Sequence, residues 1–229
     1  MKKILLFLML FLAVPAMAEK LTLVVLGDSL SAGHLLNTKE SFGSQLDAAL
    51  KEKGYTSARV INYSFSGATT ADGARRLRTV LGRKPDGVIL QLGANDMLRQ
   101  LDLAQAKQNL QSIISTLNQK GIPVLLVGME ASVDLPEEYR SSFRQMYADL
   151  ALDNELLLYP FFMQGLWNDD GSHVSEEYFV QDKMHPSAKG VAVMVKNIMP
   201  AVQQFIAEDI EEPKEESKEE KTEKSEKDK

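Results

Sequence analysis

The sequence predicts an α/β protein in three layers: a five-stranded parallel sheet with helices packed on both faces. Three observations carry that expectation. Five short apolar runs alternate along the chain with longer segments of helical periodicity. The runs are apolar at nearly every position instead of every second one, as a strand covered on both faces requires. Several runs also end in clusters of Gly, Asn, Asp and Ser, which turn the chain over the sheet edge. In sheets of this kind a site forms in the crevice beyond the carboxyl ends of the strands.

The elements follow in order. Residues 21–26 (LTLVVL) form the first expected strand. A helix is expected over 41–53, opened by Ser41 and closed by Gly54. A second strand is expected over 59–63 and a helix over 71–81, with Gly82 beside its end. The third strand, 88–92, is introduced by Pro85-Asp86-Gly87. The clearest helix is expected over 102–120: Asp102 can cap it, and Leu103, Ala106, Leu110, Ile113, Ile114 and Leu117 recur at helical spacing before Gly121. A fourth strand is expected over 124–127 and a helix from Pro136 to about residue 152. The fifth strand is expected over 156–159. After a long irregular stretch, a last helix runs from Pro186 to about residue 207, bent at Pro200.

The two ends read differently from this body. Met1-Lys2-Lys3 is a short positive start, followed by an apolar run over 4–14 and by Ala16-Met17-Ala18, small at both key positions of an export cleavage site. Residues 1–18 therefore read as a signal peptide and Glu19 as the mature start, with an uncleaved anchor as the alternative. The run is short of the roughly 20 residues that span a bilayer. Absence of cysteine excludes a lipid-modified start and disulfide staples. Residues 208–229 hold 11 acidic and 6 basic side chains and a single aliphatic, Ile210; such a stretch buries too little to offset its ordering entropy, so a disordered tail is expected. The whole chain carries −6. Setting aside +2 in the leader and −5 in the tail leaves −3 on one domain over 19–207, nearly neutral and unsuited to nucleic acid.

Four segments carry the chemistry. They are Gly27-Asp28-Ser29-Leu30-Ser31-Ala32-Gly33, the stretch Ser64-Phe65-Ser66-Gly67-Ala68-Thr69, Gly93-Ala94-Asn95-Asp96, and Asp182-Lys183-Met184-His185-Pro186. The first fits neither dinucleotide nor P-loop spacing. Singly, Gly67 could be a turn glycine and Asn95-Asp96 a cap. Together they offer what acyl transfer needs: a hydroxyl at a strand end, an imidazole base, an acid within one local turn of it, and donors for an oxyanion in the Ser29 and Gly67 N–H groups and the Asn95 amide.

These four motifs together resemble the SGNH (GDSL-type) hydrolase superfamily over residues 20–205, and within it the bacterial periplasmic multifunctional thioesterase, lysophospholipase and arylesterase group. Pro160-Phe161-Phe162-Met163 and the leader support that placement. The resemblance implies a flavodoxin-like sheet of order 2-1-3-4-5. It implies Ser29 as nucleophile, Asp182 and His185 as its activating pair, and Ser29, Gly67 and Asn95 as the oxyanion hole. It further implies hydrolysis of acyl esters and thioesters without a cofactor, by an exported enzyme that is periplasmic or secreted. The expected partner is a small-molecule acyl substrate, with no nucleic acid, no stable membrane anchor after cleavage, and a monomeric chain.

Asp170-Gly171-Ser172-His173 is a second Asp-x-x-His, but it lacks the following proline and the long helix, so His185 is favoured over His173. Asn168, Asp170, Gly171 and Glu177 fall in register with a calcium loop; Leu166 occupies the first ligand position, so no metal site is expected. His34 reads as a loop residue near the entrance. Phe161, Phe162 and Trp167, with Met97 and Leu98, are candidates for contact with an acyl chain. A carbohydrate O-acetylesterase on the same scaffold and a non-catalytic binding module are the alternatives.

Overall fold

A computed structural model of the chain describes residues 20–211. The leader and the tail beyond 211 lie outside the described residues. Five strands, β1 (Thr22–Gly27), β2 (Arg59–Asn62), β3 (Gly87–Gln91), β4 (Val124–Val127) and β5 (Leu158–Tyr159), form one sheet. All its pairings are parallel and the order is β2-β1-β3-β4-β5, as the resemblance implied. The helices are α1 (Ser29–Ala32), α2 (Phe42–Glu52), α3 (Thr70–Leu81), α4 (Ala94–Leu98), α5 (Leu103–Asn118), α6 (Glu137–Asp153) and α7 (Ala188–Gln204).

The pleat divides the apolar strands between two cores. Leu23, Val25, Ile89, Leu125 and Val127 point to one face, under α2 and α7. Val24, Leu26, Val88, Leu90, Val124 and Leu126 point to the other, under α3, α5 and α6. Every residue of β3 and β4 is buried. These continuous apolar runs are therefore central strands, while the half-buried β2 and the two-residue β5 form the edges.

Element ends differ from expectation where local polar chemistry takes over. Helix α3 begins one residue early because Thr69 and Asp72 form a reciprocal capping box. Strand β5 keeps only Leu158 and Tyr159, because Leu156 N–H still closes the end of α6 on the Ala151 carbonyl. Pro186 does not open the last helix. Ser187 caps α7 by accepting from Gly190 N–H, and Pro186 lies buried in a bridge opposite Phe179. Pro200 sits inside α7 without ending it. The chain continues as a π-helical stretch, Phe205–Glu211, four residues past the expected boundary at 207. Ile210 accounts for the extension: its side chain is 3% exposed and packs over Gly87 beside Phe205, joining the core under α7.

Candidate active site

The first βα turn presents Ser29. Asp28 caps α1, its Oδ1 accepting from Leu30 N–H at 3.0 Å, so Ser29 stands at the first helical position, just beyond the carboxyl end of β1. A buried polar layer lies beneath. Gln91 Nε2 donates to Asp28 Oδ2 at 3.1 Å, and Ser31 Oγ donates to Gln91 Oε1 at 2.7 Å. Burial pushes the Asp28 carboxyl up to about 7, against the pull of the Leu30 N–H and the Gln91 amide.

His185 reaches Ser29 from the far end of the chain. Its Nε2 is 2.9 Å from Ser29 Oγ, and its Nδ1 is 2.7 Å from Asp182 Oδ2. The tautomer that donates from Nδ1 to Asp182 leaves the Nε2 lone pair facing the serine O–H. Asp182 is fixed in turn, because its Oδ1 accepts from both the Met184 and His185 N–H groups at 2.9 Å. Burial works to raise its carboxyl, yet these hydrogen bonds and the ring outweigh it and hold Asp182 at about 2. The carboxylate is thus ionised and aligned.

The turn carrying this pair is braced on both sides. Val180 N–H donates to the His185 carbonyl, and Ser187 N–H to the Tyr178 carbonyl. Gly190, in the first turn of α7, leaves room for that approach; a Cβ there would lie 2.1 Å from the Tyr178 oxygen. His173, the rival histidine, belongs to this brace. Its Nε2 lies 3.0 Å from the Lys183 carbonyl, its Nδ1 3.2 Å from Glu176, and its ring stacks on Phe179 at 3.8 Å.

The donor side comes from β2 and β3. Phe65 N–H donates to the Gly27 carbonyl, laying the segment after β2 beside the Ser29 turn. Gly67 has φ +80, a conformation that a side chain strains. Its carbonyl is taken by Arg99 at 2.8 Å, and its N–H has no hydrogen-bond partner among the described residues. One N–H of the Asn95 amide donates to the Ala68 carbonyl at 3.0 Å, which leaves the second. Asp96 ties the two segments together, accepting from Thr70 N–H at 2.9 Å and from its hydroxyl at 2.7 Å. The Ser29 N–H opens α1, where no intrahelical acceptor exists for it.

The structure thus brings Ser29, Asp182 and His185 into one hydrogen-bonded chain, with Gly67 and Asn95 on the adjoining strand ends. It does not do the same for the acyl-contact candidates. Phe162 is fully buried and packs edge-on against Phe42 at 4.8 Å; Met97 is 5% exposed, inside the core on the other face. Neither can line a groove, because both are consumed by packing. Phe161 is half-buried against the core. Trp167 packs edge-on against His173 and Phe179, stiffening the histidine turn. Leu98 is exposed, one turn beyond Asn95. Sequence reasoning gave no role to Asp28, Gln91 or Arg99, whose partners lie far away in the chain. A polar glutamine ending an apolar strand was the available signal.

Residues 25–193 match the GDSL-like lipase/acylhydrolase family. Esterase TesA of Pseudomonas aeruginosa is 33% identical over 186 residues, covering 81% of this chain and 89% of the relative. Thioesterase 1/protease 1/lysophospholipase L1 of Escherichia coli K12 is 32% identical over 172 residues, covering 71% and 81%. Among solved structures, AlinE4, an SGNH-hydrolase family esterase, superposes with a TM-score of 0.67 at 36% identity, over 83% of this chain and 99% of that one.

Proposed function

The chain belongs to the GDSL-like lipase/acylhydrolase family and is a carboxylic ester hydrolase; from that premise we propose that it works through an acyl-enzyme on Ser29. The observation that carries this reading is the unbroken relay from Ser29 Oγ through His185 to Asp182, at 2.9 and 2.7 Å. Ser29 attacks the acyl carbonyl while Nε2 takes its proton, and Asp182 holds the imidazolium that forms. The Ser29 and Gly67 N–H groups and the free Asn95 N–H receive the oxyanion. The imidazolium then protonates the leaving alkoxide or thiolate. Water, deprotonated by the same imidazole, releases the acid and restores Ser29. These steps need no cofactor.

Acyl thioesters, lysophospholipids and aryl esters are the proposed substrates. Support for a long acyl chain comes from the exposed large apolar side chains: seven of eight among the described residues lie in segments leaving the carboxyl ends of the strands. Leu35 follows β1, Phe65 follows β2, Leu98 and Leu101 follow β3, Val133 follows β4, and Val174 and Met184 follow β5. The leader sequence supports an exported enzyme, periplasmic or secreted, and a site assembled from one chain supports action as a monomer. Ser29→Ala is expected to abolish both ester hydrolysis and fluorophosphonate labelling while circular dichroism stays unchanged; full activity in that variant would end the proposal. Rates across p-nitrophenyl and acyl-CoA chain lengths, set against acetylated sugars, identify the substrate class.

A further inference from the structure

We propose that His34, Asp182 and His185 together bind a divalent transition-metal ion of the zinc class, and that the bound ion switches the hydrolase off. His34 has no part in the acyl-transfer scheme, yet its ring lies against that of His185, centroids 4.4 Å apart and tilted by 49°. Its Nδ1 is 3.3 Å from Ser66 Oγ, a long contact to a hydroxyl that rotates freely. One ligand atom from each of His34, Asp182 and His185 lies within 4.8 Å of the others, and no other such trio occurs among the described residues.

The donor set selects the ion. Two imidazole nitrogens and one carboxylate oxygen suit zinc and its neighbours, whereas magnesium and calcium prefer all-oxygen sites. Tetrahedral zinc with bonds of about 2.0–2.1 Å sets its ligand atoms about 3.3 Å apart, so the three groups must close by an ångström or so. Side-chain rotation of His34 supplies that movement: its backbone is held by the Ser29 carbonyl, while its half-buried ring has only the long Ser66 contact as a hydrogen bond among the described residues. A fourth position stays open for water or for Ser29 Oγ, which His185 already contacts.

Either mode of coordination removes the base. Bonding through Nε2 takes the lone pair that the serine proton needs. Bonding through Nδ1 leaves the ring's proton on Nε2, which then donates instead of accepting. Metal binding itself rests on the geometry alone; its inhibitory effect rests on the role proposed for His185, so the two are read separately.

The test uses the wild-type chain and His34→Gln in metal-free, non-chelating buffer. Zinc chloride is titrated with two readouts, p-nitrophenyl ester hydrolysis and isothermal calorimetry. Wild type should bind one zinc and lose activity over the same concentration range. His34→Gln should keep its metal-free rate, while its binding and inhibition midpoints both rise at least about tenfold, since even outer-shell losses cost about 10–100-fold in affinity. Equal inhibition of wild type and His34→Gln would overturn the proposal, as would absence of one-equivalent binding to wild type. Zinc binding that depends on His34 in a protein without hydrolase activity would uphold the metal site and overturn the switch together with the acyl-transfer reading.

Discussion

In the proposed scheme Asn95 serves two ends with one amide: an N–H held by the Ala68 carbonyl fixes its rotamer, and the other is left for a developing oxyanion. A donor fixed before the reaction costs no reorganisation when charge appears. Asn95→Ala should therefore cost about 2.7–4 kcal/mol in barrier, read as a fall in kcat with KM little changed; a loss below about tenfold would remove Asn95 from the hole. At this scale the sequence was legible where chemistry dictates residue type. A hydroxyl, an imidazole and an acid three residues apart announce themselves, and Ser29, His185 and Asp182 do meet. It was not legible where a role depends on a distant neighbour. Asp28 and Gln91 are 63 positions apart, and nothing local marks them as one buried layer. Phe162 and Met97 were misjudged for a related reason: an apolar residue beside a site does not disclose whether it faces the groove or the core.

Hydrophobic period and cap chemistry made the elements readable, and the same chemistry set the limits. Buried strands such as β4 stood out as unbroken apolar runs, while β5 blurred into the end of α6 because Leu156 and Leu157 are equally apolar. Composition placed the domain end too early. A stretch dominated by Glu and Lys hides a single aliphatic that docks, and Ile210 holds the π-helical turn to β3 and α7. Ile210→Ala should destabilise the fold by about 2–5 kcal/mol, measured by urea denaturation. A change below about 1 kcal/mol, well outside the usual range for a buried site, would show that the turn only rests on the surface.

The whole molecule feels the proton balance beneath Ser29. Folding lifts the Asp28 carboxyl from its ordinary 3.8 to about 7, so across that interval the native state holds a proton that the unfolded chain has released. Stability from this group is complete below about pH 4 and falls as pH rises to about 7. Asp182, held at about 2, acts in the opposite sense, contributing above 3.8 and losing its share as pH drops through about 2. Unfolding free energies measured from pH 4 to 8 should accordingly show a downward component that Asp28→Asn removes; identical slopes in the two proteins would mean that Asp28 titrates normally.

Ser29 and His185 are separated by 156 positions, and the turn that carries His185 is clamped by α7 and the residues around Tyr178. Synthesis delivers these parts long after Ser29. Under the proposed scheme, a chain that has Ser29 but not yet His185 holds its hydroxyl without a proton acceptor and is chemically silent toward acyl groups. On that scheme catalytic competence arrives together with the packed fold, and the first turnover reports that α7 has docked.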